Sequence, residues 1–235
     1  MNIIDIVILA ILGISVLIGL YRGFVASVAS LGGCLLALGL SFYLNPKLIE
    51  WVRSNPDVIR TLTSFTDAGV RIGDQTIAQS GVAGLNAASL QEVLAKVNLP
   101  GPLNSLLESN LQSQAFQSLG FTQVGEYVSQ TIVSAVLSVI CFLVCFLVCF
   151  LALHLVLGFL KAVFRFPVLK QMNSFVGGVF GLMRGVLLCF VVFAVLPLAQ
   201  TVIPIGGLDE MLAASALAPL FNTDQLITAI INAAV

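Results

Sequence analysis

The sequence has little charge. Only 9% of its 235 residues are Asp, Glu, Lys or Arg, whereas 59% are hydrophobic. Soluble domains carry about 25% charged residues, so this chain cannot cover an ordinary water-facing surface, and lipid must be the solvent for much of it. The formal net charge of −1 also excludes the basic surface that nucleic-acid binding requires.

Cysteine and histidine do not occur in the patterns that a disulfide framework or a histidine metal site requires. The five cysteines lie inside apolar runs and none lies in the polar stretch 46–127, which excludes a disulfide framework. His154 is the sole histidine, so a two-histidine metal site is excluded. No Ser/His/Asp set and no phosphate-cradling loop can be assembled inside the apolar segments. The sequence therefore predicts a protein that is not an enzyme and that uses no cofactor or metal.

Long apolar runs dominate the rest of the chain, and each is long enough for a spanning helix, which needs about 20 residues. The predicted spans lie within Ile3–Tyr21, Phe24–Leu44, Val128–Leu160 and Ser174–Ile203. The first run lacks the basic start and the small-residue cleavage pattern of a signal peptide, so we expect a retained helix. Asn45-Pro46 predicts the end of the second helix. The expected fold class is an all-α polytopic membrane protein with about four transmembrane helices in two hairpins.

The same pattern predicts four regions. They are a first hairpin at 1–45, a small outward-facing helical insertion at 46–127, a second hairpin at 128–203 and an outward amphipathic tail at 204–235. Within the insertion, Ser89-Leu90-Gln91-Glu92 predicts a capping box opening a short helix, and Leu103–Leu111 predicts another. The insertion has too few apolar residues for an independent domain with a large core. The tail predicts surface helices at Leu208–Pro219 and Asp224–Ala234.

The cations of the short loops predict the topology. Arg22 lies between the first two spans, and Lys161, Arg165 and Lys170 lie between the last two, with no acidic residue in either loop. Short loops rich in Lys and Arg face the cytoplasm. Lys161 and Arg165 are expected to snorkel from an interfacial turn at the end of the third span. The N-terminus, the insertion and the C-terminus are therefore expected outside.

One glycine motif includes a charged residue inside an apolar run. Gly177, Gly181 and Gly185 recur at every fourth position, a spacing that lets another helix backbone approach closely. Arg184, within the same motif, costs about 2.5–3.5 kcal/mol at the centre of a bilayer on insertion scales. Two interpretations stay open: Arg184 faces the bundle interior, or it lies at the cytoplasmic interface. Gly19-Leu20-Tyr21-Arg22-Gly23 repeats the pattern and suggests, weakly, two related halves.

Other small or polar side chains in the spans are also candidates for a structural or functional role. Asp5 is expected to cap the first helix, to touch outer headgroups or to pair with Arg184. His154 is a candidate functional residue because ionisable groups in a span usually have a role, although an interfacial position near Lys161 is the favoured explanation. Cysteines repeat at every fourth position from Cys141 to Cys149, as small residues do from Ala29 to Ser41. These stripes are expected to pack on each other or on another subunit, and metal binding by the three thiols is the less favoured alternative.

Motifs at both ends of the sequence resemble one family. Asp5, then Arg22-Gly23-Phe24 between two spans, then Gly177, Gly181, Arg184 and Gly185 resemble the colicin V production protein family. The resemblance implies a multi-pass protein of the bacterial inner membrane, linked to peptide-toxin production or export and to envelope integrity. It also departs from the family, which often has an Asp-Arg pair where Asn173 and Ser174 stand. Similar four-helix modules anchor periplasmic proteases, which requires an outward C-terminus.

Two functions from different classes follow. The first is a non-enzymatic assembly component of toxin production or secretion and of the envelope, which predicts self-association or another membrane protein as partner within the lipid bilayer. The second is a transporter or channel for a small solute or ion that uses Arg184. An enzyme ranks third because no catalytic set is present.

Overall fold

The structure of the protein is a computed structural model that describes residues 2–55, 74–99, 101–163, 170–202, 208–221 and 224–232. Among these residues the regular elements are helical, and the only β pairing is an isolated bridge between Gly81 and Gln123. The expected all-α class is therefore confirmed.

Nine α-helices lie in the described part of the chain, and three short 3₁₀ segments accompany them. In order they are α1 (Ile3–Arg22), α2 (Phe24–Arg53), α3 (Gln75–Ala78), α4 (Ala87–Val97), α5 (Gly101–Gln112), α6 (Val124–Val163), α7 (Lys170–Val202), α8 (Leu208–Ala213) and α9 (Asp224–Asn232). Four of them are long and apolar enough to cross a bilayer: Ile3–Arg22, Phe24–Arg53, Val124–Gly158 and Asn173–Ala194. The prediction of four spans is confirmed at this level. Arg165 and Pro167, from the predicted interfacial turn, lie outside the described residues.

The chain divides into two compact units. The first comprises Met1–Asn45, Cys141–Leu196 and Ile205–Thr223, and the second comprises Pro46–Ile140, Pro197–Pro204 and Asp224–Val235. The boundaries fall inside α2, α6 and α7, so each of these long helices contributes residues to both units. The tail is also split, because α8 belongs to the first unit and α9 to the second.

The first unit has two apolar clusters. In one, Cys34 and Ala37 of α2 are buried with Phe146 and Cys149 of α6. Phe42 and Phe142 extend the same α2–α6 contact, with ring centroids 5.0 Å apart. One member of each stripe, Ala37 and Cys149, thus lies in the same cluster within one chain, whereas Gly33 of the small-residue stripe lies against Leu157.

The second cluster of this unit joins the two ends of the sequence. Ile4 and Ile8 of α1 are buried with Phe193 of α7 and with Leu208 and Phe221 of the tail. The tail from Leu208 to Phe221 therefore contributes to a core. The prediction of a surface helix over Leu208–Pro219 is wrong, because only Leu208–Ala213 is α-helical and its apolar residues contact α1 and α7.

The second unit is held by short amphipathic helices. Leu103, Leu107 and Leu111 of α5 are buried, as are Ile227 and Ile230 of α9, and α5 contacts both α4 and α9. Asn110 of α5 also donates a hydrogen bond of 3.0 Å to the Thr131 hydroxyl of α6. The helix predicted at Leu103–Leu111 is present and begins at Gly101.

Asn45-Pro46 does not end the second helix, contrary to the sequence-based prediction. Helix α2 continues through Pro46 to Arg53. A proline inside a helix removes one backbone hydrogen bond, and membrane proteins tolerate this loss when neighbouring groups compensate. Ile49, beyond the proline, is buried, and that burial favours continuing the helix.

The capping residue of α4 also differs from the prediction. Asn86, not Ser89, is the N-cap: its side-chain oxygen accepts from the Ser89 amide at 2.8 Å, and the Ser89 hydroxyl accepts from the Asn86 amide at 2.9 Å. Glu92 instead lies 3.4 Å from Lys96, one turn later on the same helix. Asn favours the N-cap at least as strongly as Ser, so the capping box begins three residues earlier.

An exposed ion pair in the second unit gives a prediction for pH titration. The hydroxyl and amide of Thr76 donate to Asp74, and Lys96 lies 3.0 Å away. These contacts lower the pKa of Asp74 from 3.8 to about 2, the Thr76 hydroxyl being the largest cause. Because the folded pKa is depressed, the stabilisation is present above 3.8 and is lost as the pH falls through about 2.

We expect Thr76→Val and Lys96→Met each to raise the pKa of Asp74, because each removes a side-chain hydrogen bond to its carboxylate. A carboxyl carbon chemical-shift titration of each variant measures both values. An unchanged pKa of Asp74 in either variant would contradict the contact that the variant removes.

Candidate functional site

The site is built on a close contact between α1 and α7. A Cβ atom on Gly19 would collide with the carbonyl oxygen of Gly177 and lie 3.0 Å from the Gly181 Cα. A Cβ on Gly181 would lie 2.5 Å from the Ser15 carbonyl oxygen, and one on Gly185 would lie 3.0 Å from the Ser15 Cβ. The predicted glycine groove is thus filled by α1 of the same chain.

The junction between α1 and α2 is fixed by two side chains of α7. Gly23 has φ +78°, a conformation that favours glycine. Asn173 accepts a hydrogen bond of 2.7 Å from the Phe24 amide, and the Ser174 hydroxyl donates at 2.7 Å to the Leu20 carbonyl. Asn173 and Ser174, where the family often has an Asp-Arg pair, therefore satisfy backbone groups at the helix ends.

Arg184 projects from α7 towards α1 and α2 and is buried, with 8% of its surface exposed. Its Nε and Nη2 donate to the Ser15 hydroxyl at 3.2 and 3.0 Å, and its Nη1 donates to the Ser30 hydroxyl at 3.0 Å. The Ser15 hydroxyl in turn donates to the Gly181 carbonyl at 2.7 Å. The Ser15 hydroxyl therefore bonds both to the Arg184 guanidinium and to the α7 backbone.

No carboxylate from the spanning helices around Arg184 balances its charge. The sequence has no Asp or Glu between residues 6 and 49 or between residues 127 and 208. Uncharged hydroxyls thus solvate a buried cation, an arrangement that is costly in a membrane and typical of a functional position.

Asp5 lies away from Arg184 and holds the tail. Its carboxylate accepts from the Asn2 amide at 3.0 Å, which completes a capping box at the start of α1. It also accepts from the Ser215 hydroxyl at 2.5 Å and from the Leu217 amide at 3.1 Å. The capping role considered for Asp5 is present, and the bonds to the tail are an addition that sequence patterns did not indicate.

Removing the Asp5 carboxylate is expected to release the tail. Asp5→Ala leaves the Ser215 hydroxyl and the Leu217 amide without their acceptor, and each buried unsatisfied group costs about 1–3 kcal/mol. Limited proteolysis in detergent should then cut the tail between Leu208 and Phe221 faster than in the wild-type protein. Glu210→Ala, an exposed change in the same tail, is the control and should leave the cleavage rate unchanged.

Arg22 and His154 meet at a pocket on the first unit. Arg22 Nη1 lies 3.2 Å from His154 Nε2, and the imidazole stacks on Phe150 with centroids 5.9 Å apart. A guanidinium has no acceptor, so Arg22 donates and His154 accepts. The cavity beside this pair has a volume of about 580 Å³ and also includes Ser30 and Leu157 in its lining. We call it the Arg22 pocket.

The structure brings some predicted residues together and separates others. Gly19, Gly23, Gly177 and Gly181 form one contact, Arg184 lies beside it, and Asp5 belongs to the tail contact. The Phe24 ring packs edge-on against Phe180 at 5.5 Å. In the described residues, no group of three or more His, Cys, Asp or Glu side chains has the geometry to hold a metal ion.

Sequence reasoning missed the residues that bind Arg184. Ser15, Gly19 and Gly23 repeat at every fourth position in the first span, as the glycines of α7 do, and this matching period was the available signal. Ser30 had no such signal, because α2 contains several buried serines.

The comparison with protein families decides the identity. The family model described as colicin V production protein matches residues 4–86 and 113–225. The chain belongs to the colicin V production protein family. Membership supports a role in colicin V production, and together with the four apolar helices it establishes a multi-pass membrane protein.

The family match includes the residues of the site and omits one internal segment. Asp5, Arg22, Arg184 and Ser215 all lie in the matched ranges, whereas residues 87–112, which form α4 and α5, lie outside them. No curated protein and no solved structure matches the chain.

Proposed function

We propose that this colicin V production family member is an inner-membrane assembly component that supports peptide-toxin production or secretion and envelope integrity without catalysing a reaction. In this proposal the N-terminus, the insertion at 46–127 and the C-terminal tail face outward, as the loop cations suggest. One observation carries it: four polar side chains of the spanning helices join separate elements of the chain. Ser15, Asn173 and Arg184 each bind another helix, and Asp5 binds the tail.

The partner in this proposal is a second copy or another membrane protein. The glycine groove is occupied within the chain, so the partner surface must be elsewhere. The outward face of α6 offers Val144, Leu147, Leu151 and Leu155, all exposed. Their spacing places them along one stripe of the helix, and apolar side chains at such positions face either lipid or a partner helix.

Photo-crosslinking at native abundance tests the assembly. A photoreactive residue at Leu147 or Leu151 should give a higher-mass adduct, whereas the same residue at the buried Phe142 should not. Toxin secretion is measured in the same cells, in a strain lacking the chromosomal gene. Monomer alone at every exposed position, in cells that secrete toxin normally, would count decisively against the proposal.

Transport of an anionic solute is the second candidate. It is favoured by one observation: buried Arg184 has no carboxylate partner in the spanning helices and bonds to Ser30, which lines the Arg22 pocket. Flux of small anions into liposomes that contain the purified protein tests it. Flux that falls in Arg184→Gln would place transport first, and absence of flux from folded wild-type protein would reject it.

A further inference from the structure

The Arg22 pocket gathers positive charge that nothing in the neighbouring helices neutralises. Arg22 ends α1, and Arg184 lies behind Ser30 on the inner wall. Arg22, Arg184 and every lining residue of the pocket lie in residues 6–49 or 127–208, which contain no Asp or Glu. A counter-charge for these cations must therefore come from outside the spanning helices.

Two polar side chains of the pocket lining, Arg22 and Ser30, can donate hydrogen bonds to a ligand. The Arg22 guanidinium carries five N–H donors, and its contact with His154 at 3.2 Å uses one of them. The Ser30 hydroxyl accepts from Arg184 Nη1 at 3.0 Å, and a hydroxyl that accepts can also donate its own hydrogen. Such a cluster of donors matches an anion with several oxygens, and a phosphate is the commonest group of that kind.

The rest of the pocket is apolar. Leu155 and Leu157 belong to its lining, and Leu155 is 76% exposed. A freely soluble anion gains nothing from these side chains, whereas an acyl chain gains burial beside them. The pocket therefore suits an amphiphile that has a phosphate at one end and hydrocarbon at the other.

The position of Arg22 along the chain agrees with this chemistry. Arg22 is the last residue of a 20-residue apolar helix. At about 1.5 Å per residue such a helix reaches across the hydrocarbon core, so its end lies at the level of the lipid phosphates. His154 holds the guanidinium at the pocket and acts as a positioning residue.

We propose that the Arg22 pocket binds the phosphate of an anionic phospholipid, with Arg22 and Ser30 donating to the phosphate oxygens and the leucines contacting an acyl chain. The pocket shares Leu155 with the exposed stripe of α6 but includes neither Leu147 nor Leu151, where the crosslinks are placed. The proposal does not depend on a role in toxin production. One phospholipid is then a specific ligand of the protein, in addition to the bilayer that surrounds it.

Lipid titration followed by native mass spectrometry tests the proposal. The purified full-length protein in detergent is titrated with phosphatidylglycerol or with phosphatidylcholine, and the dissociation constant of the first bound lipid is measured. Because a cation near the membrane surface contributes about 1 kcal/mol, Arg22→Gln should weaken phosphatidylglycerol binding about fivefold. Phosphatidylcholine binding should not change.

Two further variants separate the site from general charge and from misfolding. Arg53→Gln removes an exposed arginine from the end of α2 and should leave phosphatidylglycerol binding unchanged. Arg22→Lys keeps the charge and should restore most of the affinity. Equal binding by wild-type protein and Arg22→Gln, with unchanged thermal unfolding, would overturn the proposal.

Competition with inorganic phosphate distinguishes the lipid from a soluble anion. Excess phosphate should displace the lipid weakly, because it lacks the acyl chain. Complete displacement by inorganic phosphate would assign the pocket to a soluble anion and would reject the lipid. Equal affinity for both lipids would show that the pocket does not select an anionic lipid, and would also overturn the proposal.

Discussion

Gly19→Ala is expected to destabilise the protein severely. The added methyl group would meet the Gly177 carbonyl oxygen and lie 3.0 Å from the Gly181 Cα, and both are backbone atoms that cannot rotate away. Forcing extra volume into a packed contact costs about 1–3 kcal/mol, and more where backbones must separate. We expect a loss at or above the upper end of that range, because the displaced helix also carries Ser15 and its bonds to Arg184.

Gly13→Ala is the matched control. Gly13 lies on the same helix, and a Cβ atom there would have no atom within 4 Å. Unfolding of the two variants in mixed micelles, by titration with a denaturing detergent, compares their free energies directly. Similar stability of Gly19→Ala and Gly13→Ala would show that α1 and α7 do not pack as described.

The apolar runs were sufficient to predict the spans because a helix in lipid must satisfy its own backbone and expose apolar side chains. The same runs could not predict where α2 ends. Pro46 stops a helix in water more readily than one whose next turn is buried at Ile49, and burial is a property of the tertiary structure.

Residue spacing predicted which faces of the helices pack but not what they pack against. The period of four at Gly177, Gly181 and Gly185 indicates a groove on α7, and a second copy of the chain would fill it as well as α1 does. The choice of α1 depends on the matching series from Ser15 to Gly23. A helix–helix contact thus needs two patterns, and a single motif gives only one of them.

The contact of Asp5 with the tail shows a different limit of prediction from the sequence. A helix cap was among the interpretations of Asp5 because capping is local in sequence. Its bonds to Ser215 and Leu217 join residues from opposite ends of the chain, and no periodicity records such a pair. The weak amphipathicity of the tail also concealed that Phe221 enters a core.

The second large effect on stability is expected where Ser15 binds Arg184, the buried cation of the first unit. Ser15→Ala is expected to cost about 2 kcal/mol, since it leaves two donors of a buried guanidinium without their acceptor. Arg184→Met is expected to be nearly neutral, because it removes a buried charge along with its hydrogen bonds and fills a similar volume. The double variant should therefore be little less stable than Arg184→Met alone.

The resulting double-mutant cycle measures the coupling between Ser15 and Arg184, and we expect an interaction energy of about 1.5 kcal/mol. Ser41→Ala is the control. Ser41, which lies in α2, is buried like Ser15, but its hydroxyl donates to Ala37 on its own helix. It should show no coupling to Arg184→Met. If Ser15→Ala costs the same with and without the arginine, the two side chains do not interact. If the coupling is found and Arg184→Met still folds but no longer supports toxin secretion, the buried cation is retained for function at no gain in stability.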